Sequence, residues 1–79
     1  MNYPDGQHVK VGDAVSLGGD RPGVVVCSID DGTYTDACRE RDWAYLGRGV
    51  MIEFRDFGLI HYVDPDPDLE LVAREAPFP

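Results

Sequence analysis

The chain predicts a mainly β domain: five short antiparallel strands, bent into a closed or nearly closed barrel, with a long loop carrying a short helical turn. Three observations lead there. Nine Gly and six Pro punctuate 79 residues at short intervals and leave little room for a helix of ordinary length. Between them lie short runs that alternate apolar and polar side chains or are rich in β-branched residues. A chain of this length makes one domain, residues 1–79, and closing its sheet hides strand edges around one compact core.

The first strand is expected over Asp13–Leu17, where Val15 and Leu17 share a face. Gly18-Gly19-Asp20-Arg21-Pro22-Gly23 breaks it with glycines suited to a tight turn. The second strand runs from Gly23 to Ile29 through Val24, Val25 and Val26, and Asp30-Asp31-Gly32 ends it. Residues 33–47 show no period of two and read as a long loop. Thr35 or Asp36 is placed to cap a helical turn there, and Trp43 and Leu46, three apart, reach the core from it. Trp43 is expected as a core plug under the barrel, with an exposed interface anchor as the alternative.

The clearest hairpin follows: Val50–Phe54 and Leu59–Val63, joined by Arg55-Asp56-Phe57-Gly58. Val50, Ile52 and Phe54 should face inward, and Met51, Glu53 and Arg55 outward. Asp64-Pro65-Asp66-Pro67-Asp68 is stiff and extended, because Pro favours polyproline geometry and like charges repel. A last strand, Leu69–Ala73, places Leu69, Leu71 and Ala73 on one side, and residues 76–79 form a loose tail.

Fifteen acidic against seven basic residues give a net charge of −8, which repels phosphate backbones and anionic membranes. No wholly apolar run exceeds four residues, so a membrane span is not expected. Met1–Gly6 has neither the basic nor the apolar part of a secretory signal, which predicts a cytoplasmic protein with Cys27 and Cys38 reduced.

The chemistry-bearing residues are few. Cys27, inside Val24–Cys27, reads as a small buried hydrophobe. Cys27 or Cys38 with His61 is a conceivable nucleophilic arrangement, and no spacing positions either. His8 and His61 lack metal-ligand spacing, and the Asp-Pro tract lacks the Gly and distal Glu of a calcium loop. Gly18-Gly19 has no Lys-Ser/Thr to follow it on phosphate. These residues predict no enzyme, no cofactor and no metal.

Val9-Lys10-Val11-Gly12-Asp13-Ala14-Val15 resembles the V-x-V-G-D-x-V run leading into the first strand of SH3-like barrels of the KOW and Tudor kind. Gly23–Val26 is similar to their next strand, and Gly49–Phe54 with Gly58–Tyr62 to their central hairpin; together these cover about half the chain. The resemblance implies a five-stranded SH3-like barrel, and a fold alone does not assign function. KOW domains contact RNA or ribosome-associated proteins through basic loops, whereas these loops carry Asp20, Asp30, Asp31 and Asp36. Tudor-type domains hold methylated lysine or arginine in an aromatic cage, for which Tyr34, Trp43, Tyr45 and Tyr62 are the available rings. Size, charge and the lack of catalytic apparatus also resemble, more loosely, the small acidic immunity proteins with which bacteria block a cognate toxin.

Charge is unevenly placed. Residues 30–42 hold five acids against Arg39 and Arg41, and residues 64–79 five against Arg74. The chain is therefore expected to be a noncatalytic protein-binding module, most concretely an immunity-type inhibitor occluding a basic toxin. Its contact surface is expected to comprise Asp30, Asp31, Tyr34, Asp36, Glu40, Asp42 and Tyr45 of the loop, with Asp64, Asp66 and Asp68 of the tract. No direct nucleic-acid contact is expected. The alternatives are an aromatic-cage or peptide reader and a small regulatory subunit.

Overall fold

The computed structural model describes residues 1–64 and 66–74. Five antiparallel strands form one sheet in the order β4-β3-β2-β1-β5: β1 Ala14–Leu17, β2 Arg21–Ser28, β3 Val50–Phe54, β4 Gly58–Tyr62 and β5 Leu69–Ala73. The long loop carries α1, Glu40–Trp43, followed by a 3₁₀ turn over Ala44–Leu46. The mainly β class stands as the sequence predicts. β4 and β5 are the two edges, and no ladder joins them among the described residues.

Asp13 stays outside β1 because its side chain closes the turn before the strand, accepting from the Lys10 N–H at 2.9 Å. Gly12 N–H then donates to the Val25 carbonyl, and Val25 N–H to that of Asp13, which stitches the turn to β2. The β1–β2 hairpin is tighter than expected. Leu17 pairs with Arg21, so only Gly18, Gly19 and Asp20 make the loop, and Arg21 and Pro22 join the strand at its end, where a missing N–H is tolerated.

A register shift between Val25 and Cys27 is the main irregularity of β2. It leaves Val25 on one face, opposite Ile52, and turns Val26 and Cys27 toward the other, where Met51 meets them. The sheet therefore carries two apolar clusters. Val9, Val15, Val25, Val50, Ile52, Phe54 and Leu69 fill the first with Tyr3. Val26, Cys27, Cys38 and Met51 make the second, covered by Tyr34, Trp43 and Leu46 of the loop.

Four expectations change accordingly. Met51 is buried, since the outer face of β3 is covered by the loop rather than by solvent. Trp43 is half-buried over the second cluster and does not plug the first. Ala73 is exposed, because the β1–β5 register slips between Ala14 and Val15. Neither Thr35 nor Asp36 caps a helix: α1 starts after Arg39, and the Thr35 hydroxyl donates to the Val26 carbonyl at 2.7 Å. The tail at 76–79 and Pro65 of the Asp-Pro tract lie outside the described residues.

Candidate functional site

The loop between β2 and β3 is shaped by what it must cover. Cys38 is fully buried against Cys27, and Thr35 and Cys38 exchange backbone hydrogen bonds in an isolated bridge. Tyr34, Trp43 and Leu46 add half-buried apolar surface. With its apolar side chains turned inward, the loop presents Asp36, Glu40, Asp42 and Tyr45 to solvent, the Tyr45 ring being 78% exposed.

The five loop carboxylates divide into two kinds. Asp30 accepts from the Met1 ammonium at 2.7 Å and from the Gly49 N–H at 2.9 Å, which hold its carboxyl below the usual range. Asp31 meets the His8 ring at 2.8 Å, and its N–H donates to Ser28 Oγ. These two fasten the N-terminal segment and Gly49 to the loop. The carboxylates of Asp36, Glu40 and Asp42 have no hydrogen bond or ion pair among the described residues, and Arg39 and Arg41 alternate with the latter two. Burial first, then the neighbouring Glu40 charge, pushes up the Tyr34 hydroxyl.

Asp66 and Asp68 of the Asp-Pro tract lie toward the β1–β2 turn, away from this patch. Asp66 Oδ1 accepts from the Asp68 N–H at 2.9 Å, and the Asp68 carbonyl accepts from Gly18 at the β1–β2 turn. Asp30 sits beside Gly49, at the other end of β2, so roughly 23 Å of strand separates it from Asp68. Asp64 is exposed near the end of β4.

Among the four rings available for a cage, Tyr62 stands apart from Tyr34 and Trp43. Tyr62 packs in the first cluster, edge-on to Phe54 with centroids 6.3 Å apart, while Tyr34 and Trp43 lie over the second. His61 Nε2–H donates to the Arg48 carbonyl at 2.8 Å, and no hydrogen bond links it to Cys38 among the described residues. No group of three His, Cys, Asp or Glu side chains converges there either. Among the described residues, no helix is long and apolar enough to cross a membrane.

Two features are barely legible in the sequence. Asp13 is 1% exposed and accepts from the Tyr3 hydroxyl and from Arg74 Nη1 as well as from Lys10 N–H. The Gly12-Asp13 turn was the only available hint, because Tyr3 and Arg74 are distant in sequence. The second is a shallow apolar groove on the outer sheet face between Ala14, Val24 and Val72, with exposed Phe57 stacked under Arg21 nearby.

Comparison with protein-family models, curated proteins and solved structures finds no match to this chain.

Proposed function

We propose that this chain is a noncatalytic protein-binding module of the cytoplasm, built on an SH3-like barrel, whose acidic loop docks on a basic protein. One observation carries the reading: the carboxylates of Asp36, Glu40 and Asp42 have no intramolecular partner among the described residues, and they stand on the same loop as the exposed Tyr45, which is anchored by its own apolar cluster. A surface held in place before contact loses less conformational freedom on binding. A large exposed ring among charges suits an interface anchor, able to stack on an arginine or lysine of the partner. The net charge of −8 steers a cationic protein toward the molecule over distances beyond contact.

In its most concrete form the module is an immunity-type inhibitor. The loop covers the cationic cleft of a cognate toxin, and occlusion, with no chemistry on this chain, blocks the toxin. Asp30 and Asp31 hold the loop, Asp64 flanks it from the Gly49 end of the sheet, and Asp66 and Asp68 extend the field toward the β1–β2 turn.

The test is paired affinity capture from the native host with the wild-type chain and with D36N/E40Q/D42N. A basic protein retained by the wild type and lost with the variant supports the reading. An identical set retained by both counts against it.

A further inference from the structure

Cys27 and Cys38 face each other sulfur to sulfur at 2.6 Å, and both are fully buried. Each is delivered by a device that does not depend on the sulfurs. The Val25–Cys27 register shift aims the Cys27 side chain into the second cluster. The Thr35–Cys38 bridge and the Thr35 hydroxyl on the Val26 carbonyl bring Cys38 down onto it. A structural thiol normally sits alone among apolar atoms. Here two thiols eleven residues apart in sequence are in direct sulfur-to-sulfur contact.

We propose that Cys27 and Cys38 are an intramolecular dithiol that oxidises to a disulfide and staples the long loop to β2. The oxidant is a small-molecule disulfide. One cysteine thiolate attacks a sulfur of the oxidant and expels a thiolate, which takes up a proton. The other cysteine loses its proton and attacks the resulting mixed disulfide, expelling the second thiolate. The oxidant's S–S bond breaks and the Cys27–Cys38 bond forms; two cysteines are oxidised, and one small disulfide is reduced to two thiols.

Burial governs when this happens. It pushes both thiols up, Cys38 to about 12 with its contact to Cys27 adding to the effect, and so suppresses the attacking thiolate in the closed molecule. Oxidation therefore passes through opening of the loop, or takes place as the chain folds, and the closed bond is then shielded from exchange. The stiffness of the segment bearing Asp36, Glu40 and Asp42 becomes a function of redox conditions, whatever that segment binds.

The experiment equilibrates the full chain in oxidised and in reduced glutathione, then measures intact mass, alkylatable thiols in denaturant, and Tm. The expected oxidised product is a monomer lighter by about 2 Da with no free thiol. A bond closing so short a loop raises Tm by about 10 °C. Cys38→Ala removes both signals, and the wild-type mass and thiol count decide the matter should that variant not fold. Two surviving thiols, glutathione adducts, or disulfide-linked dimers in place of the internal bond overturn the proposal. An internal bond that leaves Tm unchanged overturns the stapling.

Discussion

The Tyr3 hydroxyl donates to the Asp13 carboxylate at 2.6 Å, with both side chains buried against the first apolar cluster. A buried carboxylate is tolerable only when donors surround it. Lys10 N–H and Arg74 supply the others, so this one acid joins the N-terminal segment, the turn before β1 and the residue after β5. Tyr3→Phe removes one donor and keeps the ring. It should destabilise the chain by about 1–3 kcal/mol with an unchanged m-value in urea denaturation.

The same contact makes stability fall at alkaline pH. Burial above all, then the hydrogen bond to Asp13 and its charge, pushes the Tyr3 hydroxyl far above the ordinary tyrosine value of 10.0. The unfolded chain ionises first, so the folded state binds more protons above that value. The contribution is intact below about pH 10 and is lost progressively as pH rises beyond it. Tyr34 and Tyr62, raised mainly by burial, act in the same direction. Urea midpoints between about pH 8 and pH 11 should decline in the wild type, and less steeply in Tyr3→Phe.

Arg74 spans the end of β5, with Nη1 on Asp13 and Nη2 donating to the His8 carbonyl at 3.1 Å. Arg74→Met keeps the aliphatic stem and removes both contacts. Because the guanidinium is partly solvated and Asp13 retains two donors, the expected loss is about 1–2 kcal/mol. Amide exchange should accelerate in Leu69–Ala73 more than in β3.

Gly49 and Gly58 separate two costs. Both have positive φ, but a Cβ on Gly49 would overlap the Tyr62 carbonyl oxygen and crowd His61, while one on Gly58 meets nothing within 4 Å. Gly58→Ala should cost about 1 kcal/mol, the backbone penalty alone, and Gly49→Ala at least about 2 kcal/mol more. Chemical denaturation of the two variants side by side checks the difference.

These residues also show what the sequence could disclose. The first cluster was legible because Val50, Ile52 and Phe54 alternate with period two, and the β3–β4 hairpin because two such runs flank a short connection ending in Gly58. The burial of Met51 was hidden, since it depends on a loop whose packing against the sheet has no periodic signature. The Asp13 network was hidden for a related reason: its partners stand 10 and 61 residues away. At the candidate site the sequence located the acidic segments but not which carboxylates remain unpartnered. Asp30 and Asp31 spend their charge on Met1, Gly49 and His8, all remote in sequence.

The most direct test of the docking role is the association rate of the captured basic protein, measured by stopped flow across a salt series. For the wild-type chain the rate should fall at least about tenfold between about 50 and 500 mM salt. For D36N/E40Q/D42N it should start low and vary little, while Tyr45→Ala should mainly speed dissociation. Equal association rates and equal salt slopes for the wild type and the triple variant would contradict the account.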